Sequence, residues 1–259
     1  MGDWQGSTFR LSIEKCGGRF TSHMCTKHIA LPAFTLAEVL ITLGIIGIVA
    51  AMTLPSLISN YQHKVLESQF KKAYSELSQV ILKIHTDNGL ELIPNNFSNK
   101  YKLSDCLKEY YHIIKDCGNV NINTKGCIKL SPTEDDIWNM EIYKSYNGKS
   151  INFGYLDDGV LITNDGTTIL FEQGTQAASM GRFLIGVDIN GFTQKPNRFG
   201  HDVFVFEISP SGKLIPLGNP NAKWWGTGVC DAVSNSSING YSCTYKAINE
   251  PDYFKNLPK

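Results

Sequence analysis

Residues 34 to 58 read FTLAEVLITLGIIGIVAAMTLPSLI, and the reading of this stretch decides how the chain is organised. Its one charge, Glu38, stands near the beginning, and the 20 residues from Val39 to Ile58 carry none. At about 1.5 Å per residue, a helix of that length measures roughly 30 Å, the thickness of a bilayer's hydrocarbon core. Eleven of the 20 are Ile, Leu or Val. Each favours insertion by roughly 0.3 to 0.6 kcal/mol, so an apolar gain of roughly 3 to 6 kcal/mol outweighs the glycines, the threonines and one end-placed charge. A secretory signal would show a shorter apolar stretch, roughly 7 to 15 residues, ending in a small-residue cleavage site. No A-x-A site follows this one. A core helix of a soluble protein would normally be punctuated by more polar residues than the Thr42, Thr53 and Ser56 of this run.

Beyond Ile58 the helical signal continues in a different form. Leu66, Phe70, Ala73, Tyr74, Leu77, Val80, Ile81 and Ile84 recur at steps of three and four, with Lys71, Lys72, Glu76 and Lys83 mostly off that stripe. The pattern predicts one helix from about Phe34 to His85, apolar all round in its first half and amphipathic in its second. Asp87, Asn88 and Gly89 supply its stop. Pro55 removes one backbone hydrogen bond and is expected to kink it.

Residues 90 to 150 are polar and irregular, with a short helix predicted near Leu103 to Tyr111. Cys106, Cys117 and Cys127 fall here, in predicted loops. Strand patterns follow at Ile151 to Leu156, Val160 to Thr163, Thr167 to Phe171, Arg182 to Ile189 and Val203 to Ile208. Asp158-Gly159 and Asp165-Gly166 are expected to form tight hairpins between the first three. The predicted architecture is therefore α+β, a long N-terminal helix packed on an antiparallel sheet.

Composition is that of an ordinary globular protein, with 24 Lys and Arg against 24 Asp and Glu. Four of those basic residues and two of the acidic ones precede Phe34, which leaves 20 against 22 in the remainder. A slightly acidic domain argues against nucleic acid as a partner, since DNA binding calls for a basic patch. Cys16 and Cys25 precede Phe34, and five cysteines follow it. No CxxC pair and no Cys/His cluster with zinc spacing occurs, so disulfides are the reading for the later five if the domain is exported, with at least one thiol left over or paired between chains. Catalysis finds no footing: the chain has no G-x-S-x-G, HExxH, phosphate loop or dinucleotide fingerprint, and its six His are scattered.

The string Ala33, Phe34, Thr35, Leu36, Ala37, Glu38 and the apolar run after it resemble the prepilin cleavage and methylation motif of type IV pilins and type II secretion pseudopilins. The resemblance covers about 25 residues, or about 50 with the rest of the helix. It implies a pilin-like fold and a leader, residues 1–33, removed by a prepilin peptidase that cuts before Phe34 and methylates the new amino terminus. Residues 34–58 are then the transmembrane and assembly helix, 59–88 its amphipathic continuation, and 89–259 an exported globular domain. Glu38 falls five residues into the mature chain, where the family has its hallmark glutamate, and Pro55 falls where many pilins have a helix-kinking proline. Ala33 departs from the family's usual glycine; being small, it is expected to slow the cut rather than prevent it. A leader of 33 residues is long, whereas a start at Met24 gives MCTKHIALPA, close to the family's short form, and we read Met24 as the start.

Lys27, and Arg19 under the longer start, precede the span, while Lys64, Lys71 and Lys72 belong to a long segment that crosses regardless of charge. This sets the N-terminus in the cytoplasm and the remaining 200 or so residues outside a bacterial inner membrane. The resemblance also supports pairing Cys230 with Cys243, and a bridge over that loop is worth roughly 3 kcal/mol on the loop-entropy model. Gly186 to Ile208 resembles a pseudopilin strand-loop-strand region that can hold calcium. Asp188, Asn190 and Asp202 are oxygen donors suited to that ion and Gly191 permits a sharp turn, though a plain turn also fits a D-x-N-G sequence. Trp224 and Trp225 read as buried edge packing, with a contact patch as the alternative. The function expected is a structural subunit of a type II secretion pseudopilus or type IV pilus-like filament, with the prepilin peptidase, other subunits and an inner-membrane assembly platform as partners. The alternative is a minor tip pilin acting as a ligand- or DNA-binding module.

Overall fold

The structure is a computed structural model that describes residues 35–89, 91–97, 102–119, 126–128, 142–224 and 229–258. Helix α1 (Leu36–Asn88) runs for 53 residues and contains Pro55 in its interior without ending there. It contributes to two structural units, one of residues 1–50 and one of residues 51–259. In the first unit every residue from Thr35 to Val49 is exposed, Leu36 by 78% and Ile41 by 63%. α1 is the one helix among the described residues long and apolar enough to cross a membrane. Apart from the one hydrogen bond that Pro55 forgoes, its backbone is satisfied along its own axis, so apolar surroundings cost that backbone little.

In the second unit α1 stays exposed through Gln62 and then acquires a buried side. Phe70, Leu77, Ile81 and Ile84 are buried, at steps of seven, four and three. The helix stops where Gly89 takes a left-handed φ of 62° and donates its N–H to the His85 carbonyl at 3.1 Å. A short 3-10 helix (Pro94–Asn96) and α2 (Leu103–Tyr110) follow.

Six strands then form one antiparallel meander in sequence order: β1 (Ile113–Gly118), β2 (Gly159–Thr163), β3 (Thr168–Glu172), β4 (Phe183–Asp188), β5 (Val203–Ile208) and β6 (Leu214–Pro216). The Asp165-Gly166 turn joins β2 to β3, and α3 (Thr175–Met180) lies between β3 and β4. Every residue of β2 to β5 is buried because both faces of the sheet are covered. Leu161, Ile169, Ile185 and Phe204 join α1's Phe70, Leu77 and Ile81 in one core. Their strand neighbours Val160, Leu170, Leu184 and Val205 turn to the other face, into a second core with Tyr143, Phe153, Phe199 and Tyr241. Period-two alternation thus sorts the strands between two apolar cores. A last helix, α4 (Cys243–Asn249), and a 3-10 turn (Tyr253–Asn256) end the described chain, with Phe254 against Phe70 at 5.6 Å between ring centres.

Helix plus antiparallel sheet is the predicted architecture, but several details differ. Ile151 to Leu156 is not a strand: Leu156 N–H bonds the Phe153 carbonyl in a turn, and Asn152 N–H goes to Ser237. Its alternating apolar side chains cover the second core from irregular backbone. Asp158-Gly159 therefore introduces β2 and makes no hairpin. Cys106 sits on α2 and Cys117 on β1, not in loops. β1, sequence IIKDCG, is an edge strand with two register shifts and alternating exposure, so it lacks the apolar run that marks β2 to β5.

Ile81→Ala, emptying a fully buried site, is expected to lower the stability of the full chain in detergent by about 2–5 kcal/mol. Leu82→Ala, at an exposed neighbour on the same helix, is expected to change it by less than about 0.5 kcal/mol, and chemical denaturation compares the two.

Candidate functional site

Thr35 and Glu38 close the start of α1 on each other. Glu38 N–H donates to Thr35 Oγ1 at 3.2 Å, while Thr35 N–H and Oγ1 donate to Glu38 Oε2 at 2.8 and 2.7 Å. This is a capping box, threonine at the N-cap and glutamate three residues on. The T-x-x-E spacing is legible in the sequence, and it gives Glu38 a local role at the start of the helix. Oε1 has no donor among the described residues, which leaves it open to a further cation. Ala33, Phe34, Met24 and the leader lie outside the described residues.

The loop from β4 to β5 brings Asp188, Asn190 and Asp202 together. Gly191 has a φ of 81°, and any Cβ there would lie 2.1 Å from the Gly166 carbonyl oxygen, so the turn of the β2–β3 hairpin demands glycine at this position. Asp188 and Asp202 are fully buried. Tyr143 donates its hydroxyl to Asp188 Oδ2 at 3.0 Å, and Gly191 N–H donates to Oδ1 at 2.9 Å. Asn197 and Arg198 donate backbone N–H groups to Asp202 Oδ2 and Oδ1 at 2.8 and 2.7 Å. Burial, with the Asp202 charge adding to it, pushes Asp188 well above the usual carboxylate range. Burial also raises Asp202, to about 6, against the lowering effect of its backbone donors. Among the described residues neither makes an ion pair with a Lys or Arg.

The Asn190 amide decides what this trio can do. Turned one way, its Nδ2 donates to Asp188 Oδ1 at 2.8 Å and Asp202 Oδ2 at 3.3 Å, a self-satisfied network holding the loop. Turned the other way, Nδ2 reaches the Lys195 carbonyl at 3.3 Å and the amide oxygen faces both carboxylates. Three hard oxygens then converge, which is the donor chemistry of calcium and about half of its usual coordination, the rest coming from backbone carbonyls or water. Tyr143 is the participant that sequence reasoning missed, because it lies 45 residues upstream with no spacing signal.

Cys230 and Cys243 are joined in a disulfide, and so are Cys117 and Cys127. Cys106 is outside both; its buried thiol contacts the Lys102 carbonyl at 3.6 Å. Trp224 is buried, with Nε1 donating to the Arg182 carbonyl at 3.3 Å, while Trp225 lies outside the described residues.

A cation on the trio must displace any proton shared by the two acids, so its binding strengthens as pH rises. Calcium is expected to raise the thermal midpoint of the EDTA-treated full chain more at about pH 7.5 than at about pH 5, and Asp188→Asn to remove the effect. A calcium-free chain, whose raised carboxyls favour the protonated fold, loses stability from Asp202 as pH climbs from its ordinary range of about 4 to about 6, and melting curves against pH read this directly. No protein-family model matches this chain, and no match emerges among curated proteins or solved structures.

Proposed function

We propose that this chain is a structural subunit of a filament of the type II secretion pseudopilus or type IV pilus kind. It is cut between Ala33 and Phe34 by a prepilin peptidase, held in a bacterial inner membrane by the first half of α1, and later polymerised through that same segment. The observation that carries the reading is the exposed apolar surface of α1. Leu40, Ile41, Leu43, Ile45, Ile46 and Ile48 are each more than half exposed. At about 25 cal/mol per Å², that surface cannot stay in water at reasonable cost. Lipid covers it before assembly, and the helices of neighbouring subunits cover it afterwards. Two disulfides in the second unit suit an exported domain in an oxidising compartment.

Glu38 distinguishes a filament subunit from a protein that is only anchored. An acid at the start of an apolar helix needs a partner inside a low-dielectric assembly. The ammonium group of Phe34 on an adjacent subunit supplies it, at the oxygen that the capping box leaves open. This pair fixes axial register where apolar packing alone would slide.

Glu38→Gln separates the two roles of the side chain, because glutamine also serves in a capping box but cannot pair with an ammonium group. The variant is expected to remain in the membrane fraction at normal levels, while sheared filaments fall about tenfold or more, the loss of one interaction worth about 1.4 kcal/mol per contact. Filaments at the normal level would remove the pairing.

A further inference from the structure

A second gathering of acids lies where the turn before β2 meets the end of β3. Carboxylate oxygens of Asp157, Asp158 and Glu172 fall within 4.8 Å of one another. Two of them converge on the start of α3. Gly174, immediately before that helix, points its N–H at Asp158 Oδ2 (2.7 Å) and Glu172 Oε1 (3.2 Å). Asp158 Oδ2 also accepts from Gln173 N–H at 3.0 Å, and Glu172 Oε1 from Ala177 N–H at 3.1 Å. α3 has six residues and no side-chain cap of its own. A helix that short does not hold itself, and its first-turn N–H groups depend on acceptors brought from elsewhere. Asp158 belongs to the turn at 154–158, so its bonds tie that turn to α3. Gln176 Nε2 adds a tie to the Gly154 carbonyl at 3.4 Å.

Two carboxylates sharing one N–H donor, with Glu172 buried and Asp158 partly exposed, are charged together only at a cost. The surroundings offer no compensation among the described residues. Asp157 adds another acid. α3 and the 3-10 helix Pro94–Asn96 carry no ionisable side chain. Arg182, at the head of β4, is engaged with Glu207 of β5 at 3.3 Å. On α2, which is linked to β3 through Gln173 and Ser104, Lys108 is engaged with Asp105 and Asp116. Tyr241 is buried and gives its hydroxyl to the Asn152 carbonyl.

We propose that Asp158 and Glu172 form a proton-operated latch: a proton on Glu172, beside the Asp158 carboxylate, holds the 154–158 turn against α3, and its loss as pH rises releases the helix. Burial, with the Asp158 charge adding to it, pushes Glu172 up to about 8, and burial pushes Asp157 up to about 6, so the proton sits in the neutral range. A carboxyl raised in the fold stabilises it below its ordinary value near 4.5 and ceases to do so as pH passes about 8. Below that point Glu172 is neutral, and the helix start keeps both acceptors. Above it they repel, and the one on the turn is the freer to move. The latch does not depend on the filament reading, and either can fail without the other.

Hydrogen–deuterium exchange on the full chain in detergent micelles with EDTA, corrected for intrinsic rates, tests this between about pH 6 and about pH 9. Peptides spanning 172–181 are expected to lose protection about tenfold or more over that range, while peptides from β5 hold theirs. Glu172→Gln, neutral at every pH and able to donate to Asp158, is expected to keep the α3 peptides protected throughout, and Asp158→Asn to do the same. Constant protection in the unaltered chain, or an equal loss in both variants, would overturn the latch. So would restoration of protection at high pH by calcium in place of EDTA, because the acids would then be holding a cation.

Discussion

The second half of α1 is gripped by aromatic packing: Phe70 meets Phe204 at 4.3 Å between ring centres, and Tyr74 stacks on Phe206 at 5.5 Å. Both phenylalanines come from β5, the strand that also carries the covering of the second core. Leu77, Ile81 and Ile84 extend the contact along the helix. Aromatic pairs at these separations add roughly 0.5–1.5 kcal/mol each beyond the area they bury. They commit one helix to two unlike surroundings, a protein core over its last five turns and an exposed surface over nearly all of residues 36–62. Because a helix satisfies its backbone internally, the change of surroundings requires no change of secondary structure.

Covering the sheet on both faces has a consequence for its ends. With the interior given over to apolar side chains, polar groups collect where strands turn. Asp188 and Asp202 gather at one end, with Tyr143 and Asn190. Asp158 and Glu172 gather at the other, with Gly174 and Ala177. In each case backbone N–H groups do most of the satisfying, and no lysine or arginine among the described residues neutralises the pair. Glu207 differs in having Arg182 beside it, and its Oε2 takes the N–H groups of Lys223 and Trp224 at 2.6 and 3.0 Å. A buried acid with a cation beside it is neutralised in place, whereas an acid pair without one is open to a proton or a metal ion.

Legibility in the sequence followed signal strength. The helix was plain from an unbroken apolar run and a stripe at steps of three and four, and its observed end at Asn88 falls three residues beyond the predicted one. β2 to β5 stood out as apolar runs between glycines and aspartates. β1 did not, since half of its side chains face water and its pairing is irregular. Ile151 to Leu156 misled because alternation reports which side chains are buried, not whether the backbone pairs with a strand. At the candidate sites, Asp188, Asn190 and Asp202 are readable from local spacing, and the Thr35–Glu38 box from its T-x-x-E pattern. The Asp158–Glu172 pair was not readable, as nothing in a sequence tells that residues 14 apart share one N–H donor.

The first half of α1 carries the functional reading, and the identity of the mature amino terminus bears on it most directly. Sequencing the first residues of the protein purified from membranes of its native host, together with intact mass, is expected to find a chain beginning at N-methylated Phe34. A chain that keeps Ala33 and the residues before it, in cells whose prepilin peptidase is active, would contradict the filament-subunit reading and leave α1 as an anchor alone.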